Sequence, residues 1–181
     1  MIIGVTGIFG SGKTTVAKML AKKLHYRLMD ADRIAWQAFR KNRARIKRIF
    51  GTADKKKLGK IAFGDKKKLK QLQGIIHPYV LGVMKKEAGK RDAVMDVPLL
   101  IEAGAHRFVD IVIVVKCAER VRIKRLAKKG FTLPEIRKRT RHQMSISKKI
   151  KYADYVIDNS KTLSMTEEQV DKVLKRVRIS Y

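Results

Sequence analysis

Gly7-Ile8-Phe9-Gly10-Ser11-Gly12-Lys13-Thr14 constrains this chain more than any other stretch. It satisfies G-x-x-x-x-G-K-[ST] at every fixed position, follows the β-branched run Ile2 to Thr6 and opens the amphipathic stretch Thr14 to Leu24. A strand, a glycine turn and a helix in that order predict a backbone whose successive N–H groups face one phosphate, aided by the helix dipole. Lys13 can reach the β and γ phosphates, and the Thr14 hydroxyl can bind Mg²⁺. A nucleoside triphosphate is the ligand this implies.

Beyond the loop, short β-branched runs alternate with longer helical stretches. Tyr26 to Met29, Ala93 to Val97, Ile111 to Val115 and Tyr155 to Ile157 are the further strand candidates. Alternation of this kind predicts an α/β fold with a parallel sheet covered on both faces. Ile34 to Ala88 contains no strand candidate and carries helical spacing, as in Leu69, Leu72, Ile75 and Ile76. At roughly 55 residues it is too long for a structureless loop, so a helical subdomain is expected. Within it, His77-Pro78 reads as a helix start with proline at the first helical position. A second helical excursion runs from Glu119 to about Lys151, where Thr132-Leu133-Pro134-Glu135 has capping-box spacing. Ser164 to Glu167 has the same spacing and is expected to open the last helix.

Composition narrows the setting. The 181 residues argue for one domain, and the single Cys117 excludes an internal disulfide framework. The opening Met-Ile-Ile-Gly-Val lacks a signal peptide's basic start, and the apolar run Ile111 to Val115 is too short to span a bilayer, which needs about 20 residues. A cytoplasmic monomer with no membrane association is expected. The formal net charge is +28, which excludes a fold held mainly by balanced ion pairs and leaves non-specific association with polyanions open.

Three acids are candidates for chemistry. Asp30-Ala31-Asp32 lies at the carboxyl end of the second strand candidate, where ligands gather in open α/β sheets. Asp30 reads as a helix N-cap, and Asp32 as a carboxylate that can take or orient the proton of an acceptor hydroxyl. Asp96 ends the strand Ala93 to Val97, where an acid can order Mg²⁺ through water. It has no second acid after it to serve as a hydrolytic base, which favours group transfer over motor ATPase work. The excursion after Glu119 carries Arg120, Arg122, Arg125, Lys128, Arg137, Arg139 and Arg141, cations suited to a lid over phosphates.

These residues together resemble the dephospho-CoA kinase family. The match runs in order along nearly the whole chain: Thr6-Gly7 to Thr15, Asp30-Ala31-Asp32, Phe50-Gly51, Leu58 to Phe63 and Ile76-His77-Pro78. It continues through Asp96 with Pro98-Leu99-Leu100 and Glu102, Arg125-Leu126, Arg139 with Gln143, and Ala153-Asp154 with Val156-Ile157 and Asn159. The resemblance implies transfer of the ATP γ-phosphoryl group to the ribose 3′-hydroxyl of dephospho-CoA with Mg²⁺, the last step of coenzyme A synthesis. It implies a three-layer P-loop kinase fold: a core (1–32, 91–118 and 152–181), a helical CoA-binding insertion (about 33–90) and a helical lid (about 119–151). Lys13, Asp32 and Arg139 are then the expected catalytic residues, and Arg125 and Lys128 the further lid contacts to phosphate. Gly7, Gly10, Ser11, Gly12, Lys13, Thr14, Thr15 and Asn159 are expected to bind ATP. His77 and Pro78 join Asp32 on the substrate side, and Thr14 and Asp96 serve Mg²⁺. Two departures stand out: the family's Asp-Arg in the insertion is Asp54-Lys55 here, and its second lid arginine is Lys128. Lysine keeps the charge but loses the bidentate fork.

Two rivals remain at this stage. One is another small P-loop kinase acting on a nucleoside, a nucleotide or a shikimate-like acceptor. The other is a nucleic-acid-binding protein suggested by charge, against which stands an aromatic content of 7% with no clustered stacking platform.

Overall fold

A computed structural model describes residues 1–89 and 92–180. The boundary expected between residues 90 and 91, and the final residue, lie outside them. The described chain divides into two units, one made of Met1–Met29 with the chain beyond Gly89, the other of Asp30–Gly89.

The first unit is built on a parallel five-stranded sheet with helices on both sides. Its strands are β1 (Ile2–Thr6), β2 (Arg27–Asp30), β3 (Ala93–Asp96), β4 (Ile111–Lys116) and β5 (Tyr155–Asp158), in the order β2-β3-β1-β4-β5. Every residue of β1 is buried, as expected of a central strand covered on both faces. In register, Val5 pairs with Asp96 and Thr6 with Val114, so the carboxyl ends of β1, β3 and β4 lie side by side. The helices of this unit are α1 (Lys13–Leu24) after the glycine loop, then α6 (Glu119–Ala127), α7 (Leu133–Thr140), α8 (Ile146–Ile150) and α9 (Leu163–Ser180). Its core joins Ile3 and Val5 of β1, Val16 and Leu20 of α1, Ile113 and Val115 of β4, and Val170 and Val177 of α9.

The second unit is helical: α2 (Ala31–Lys41), α3 (Arg43–Phe50), α4 (Lys55–Gly64) and α5 (Lys66–Ala88). Ile46, Leu58 and Ile75 form its small core, with Phe39, Phe50, Leu72 and Ile76 packed around them. Aspartates start three of the helices. Asp30, Asp54 and Asp65 each accept backbone N–H bonds from the first turn of α2, α4 and α5. Asp30 is therefore the N-cap expected of it.

Two helix starts differ from the sequence expectation. His77-Pro78 does not open a helix, because Pro78 lies inside α5, which began at Lys66 under the Asp65 cap. Pro78 has no N–H to give the carbonyl four residues back, that of Gly74, so the helix runs through it one backbone hydrogen bond short. His77 is consequently a mid-helix residue and no N-cap. The last helix starts one residue before Ser164. Thr162 caps it by accepting from the Met165 N–H at 3.3 Å, while Glu167 is drawn away to Lys23 at 2.9 Å. The Thr132–Glu135 capping box forms in full.

Half-buried His77 sets a pH dependence. Burial holds its imidazole below the ordinary value. As pH falls through about 6.5 the unfolded chain takes up the proton first, so this contribution to stability is complete above that pH and is lost below it. We expect the denaturant midpoint to fall between about pH 7.5 and pH 5, and the fall to be smaller in His77→Gln. An equal fall in the variant would contradict the assignment. Among the described residues, no helix is long and apolar enough to cross a membrane.

Candidate active site

The glycine loop turns where β1 ends. Ser11 N–H closes a turn on Ile8 O at 3.1 Å, and Gly12, at φ 90°, hands the chain to α1 from the left-handed region. A side chain could not sit there in any case: a Cβ on Gly12 would lie 1.9 Å from Asn159 Nδ2, and one on Gly7 would lie 2.4 Å from the Val115 carbonyl oxygen. Helix α1 starts with no side-chain cap and no acid in its first turn among the described residues. Its leading N–H groups and positive dipole end are thus available to an anion. Lys13 is half-buried at this end, and Thr14 and Thr15 are exposed beside it.

Thr14 Oγ1 donates to Asp96 Oδ2 at 2.5 Å, across from α1 to the end of β3. Asp96 is 4% exposed. A hydroxyl and a buried carboxylate in contact are hard oxygen donors of the kind Mg²⁺ takes together with water and substrate phosphates. Among the described residues no cluster of three or more His, Cys, Asp or Glu could hold a metal on its own. Thr14 and Asp96 therefore fit a divalent ion that the nucleotide helps to bind.

The segment expected as a lid grips the loop at Phe9. Gln143 Oε1 accepts from the Phe9 N–H at 2.7 Å, and Arg122 Nη1 donates to the Phe9 carbonyl at 3.0 Å and to Thr140 Oγ1 at 3.2 Å. Phe9 meets the Phe131 ring edge-to-face at 5.2 Å, and the Arg139 guanidinium lies 5.2 Å from the Phe9 ring and 4.9 Å from that of Phe131. Arg139 thus stands over the loop through its aromatic residue. Arg125 goes elsewhere: Nη1 donates to Asn159 O at 2.7 Å and Nη2 to Lys161 O at 3.3 Å, which fastens the loop after β5. Lys128 is exposed at the end of α6. Asn159, expected on ATP, is buried with its amide engaged, donating to Ser11 O at 2.9 Å and accepting from Thr166 Oγ1 at 3.0 Å. It braces the glycine loop from behind.

Sequence reasoning passed over Lys149. On α8, and fully buried, its Nζ donates to Glu102 Oε2 at 2.8 Å, to Pro98 O at 3.0 Å and to Thr6 Oγ1 at 3.4 Å. Burial pushes this ammonium down from the ordinary lysine range, Glu102 opposes that, and the charge of nearby Lys13 adds to it. Lys148-Lys149 reads as a solvated basic pair, and no local signal separates the two.

In the second unit, Asp32 is exposed in the first turn of α2, with its N–H donating to Asp30 Oδ1 at 2.8 Å. His77 and Pro78 lie in the middle of α5.

Comparison with known proteins decides the family. The dephospho-CoA kinase family model matches residues 1–165. The chain belongs to the dephospho-CoA kinase family. A dephospho-CoA kinase of Carboxydothermus hydrogenoformans is 38% identical over 97% of this chain and 93% of its own length. The crystal structure of TT1252 from Thermus thermophilus superposes with a TM-score of 0.82 at 31% identity, covering 97% of both chains. A shikimate kinase from Acinetobacter baumannii superposes at 0.63 with 18% identity, over 99% of this chain and 93% of its own, and so shares the fold alone. As a dephospho-CoA kinase, the protein transfers the γ-phosphoryl group of ATP to dephospho-CoA, in coenzyme A biosynthesis.

Proposed function

We propose that the work of this reaction is divided as follows. The Gly7–Thr15 loop cradles the ATP phosphates. Lys13 neutralises charge on the β and γ phosphates, and Arg139 on the transferring group. Asp32 accepts or orients the proton of the ribose 3′-hydroxyl. That oxygen forms the new bond to the γ phosphorus as the bond to the ADP oxygen breaks. Thr14 and Asp96 would hold Mg²⁺, which when bound neutralises phosphate charge. Their 2.5 Å contact at the mouth of the loop is the observation that carries this reading. Arg125 and Asn159 act by holding the loops in place, given where their donors are already spent. The helical unit 30–89, with His77 and Pro78, forms the acceptor side, the segment 119–151 is the lid, and the enzyme is a cytoplasmic monomer.

The test measures ADP release with ATP-Mg²⁺ and dephospho-CoA, AMP, shikimate or an oligonucleotide. Turnover is expected with dephospho-CoA, and Asp32→Asn should lower kcat by about 10²-fold. Full activity in Asp32→Asn would remove the acid from the mechanism.

We also infer weak, salt-dependent association with polyanions. The net charge of +28 far exceeds what two substrates require, and the lysine triplets 55–57 and 66–68 are exposed in the first turns of α4 and α5.

A further inference from the structure

Trp36 is the one tryptophan of the chain, and it is 44% exposed, on the helix that carries Asp32. A large aromatic ring left open to water on a basic surface calls for a physical reason. Its position on α2 supplies one. Ala31, Ile34 and Ala38 form the buried stripe of this helix, whereas Asp32 and Trp36 are both exposed and stand four residues apart. Residues at that spacing share one face, about 6 Å apart along the axis. A carboxylate and an open indole one turn apart match the two ends of a single nucleoside, whose sugar hydroxyl and base are separated by a comparable span.

The ring is also held ready. Trp36 stacks on Phe39, with centroids 5.1 Å apart and planes 9° from parallel, and Phe39 packs against the core of the helical unit. This fixes the indole plane while the side chain stays exposed. The Lys55 ammonium lies 5.1 Å from the centroid of the Trp36 ring. Lys55 is exposed in the first turn of α4, next to Asp54, whose carboxylate is used to cap that helix at Lys57 N. A cation over an indole is weakly held and easily exchanged for a better anion.

We propose that Trp36 is the stacking platform for the adenine of dephospho-CoA, and that Lys55 leaves the ring for the acceptor's diphosphate when the base arrives. The inference rests on the reading of Asp32 as the acid facing the 3′-hydroxyl. It also gives Asp54-Lys55 a use in which a flexible point charge serves where the family's arginine fork is missing.

Because the chain has no other tryptophan, its fluorescence when tryptophan is excited selectively over the five tyrosines reports on this ring alone. Titration with dephospho-CoA should quench it saturably in the wild type and in Asp32→Asn, whereas 4′-phosphopantetheine, which lacks the base, should leave it unchanged. Trp36→Leu should raise KM for dephospho-CoA about tenfold while kcat and KM for ATP hold, and Trp36→Phe should recover most of the loss. Equal quenching by 4′-phosphopantetheine, or none by dephospho-CoA at concentrations that saturate turnover, overturns the platform. If turnover of Asp32→Asn collapses while the quench is absent, the platform alone fails. If Asp32→Asn retains full turnover, the reading beneath it fails.

Discussion

Lys13→Ala is expected to lower ADP release with saturating dephospho-CoA by at least about 10³-fold, with a much smaller change in ATP affinity. The backbone N–H groups of the loop and the start of α1 remain in the variant, so ground-state binding of the phosphates keeps most of its donors. On the proposed division of work, what disappears is the loop's own charge on the γ-phosphoryl group as its bond to ADP lengthens, and Arg139 alone is then left to meet it. Lys149 cannot replace it, although it is close enough for its own proton affinity to respond to Lys13. Its ammonium is fully buried and already spent on Glu102, Pro98 and Thr6. Lys13→Arg should recover little, because a planar fork keeps the charge but does not present it as a compact ammonium does. Steady-state turnover and calorimetric ATP binding on the same preparations make the comparison. A loss of less than tenfold in kcat would show that the loop backbone alone carries the transfer.

What could be read from the chain depended on whether the decisive neighbours are close in sequence. The β1–loop–α1 unit is contiguous, so its glycines, Lys13 and Thr14 announce themselves in one short stretch. The Asp30 cap and the Thr132–Glu135 box are equally local, and both form as spaced. The strands are legible to within a residue or so, most plainly β1 and β4, which are short buried β-branched runs, whereas β2 and β5 are partly exposed and Arg27–Asp30 holds no β-branched residue. His77-Pro78 misleads for the opposite reason. Proline usually punctuates a helix, but α5 is nucleated a full three turns earlier by Asp65 and held by Leu69 and Ile75 in the core, so it continues through. The grip on Phe9 is illegible because Gln143, Arg122 and Phe131 come from more than a hundred residues away. An aromatic at a free position of the glycine motif carries no mark of such partners. Trp36 is an intermediate case. The i, i+4 relation to Asp32 is written in the sequence, but its exposure and its stack on Phe39 are products of folding.

Lys149 is the most consequential of the residues that left no trace, and its partner is the better place to test it. Glu102→Gln would leave a fully buried ammonium with no carboxylate against it, a loss expected to cost about 3–5 kcal/mol of folding stability. Glu102 also accepts the Met144 N–H at 2.8 Å, so one side chain ties both α8 and the turn before it to the segment after Asp96. The pH dependence has a definite sign. A lysine whose folded pKa lies below its unfolded value binds fewer protons in the native state throughout that interval, so stability rises with pH across it. Removing Glu102 takes away the group that opposes the lowering, which widens the interval. The deficit of Glu102→Gln should therefore shrink as pH is raised toward about 10. The double variant Lys149→Met, Glu102→Gln should recover part of the loss at neutral pH, since no unpaired charge then remains inside. Urea midpoints across pH for the wild type and the variants measure both effects. A Glu102→Gln protein within about 1 kcal/mol of wild type at neutral pH would mean that neutral acceptors, the Pro98 carbonyl and the Thr6 hydroxyl among them, hold the ammonium without a carboxylate.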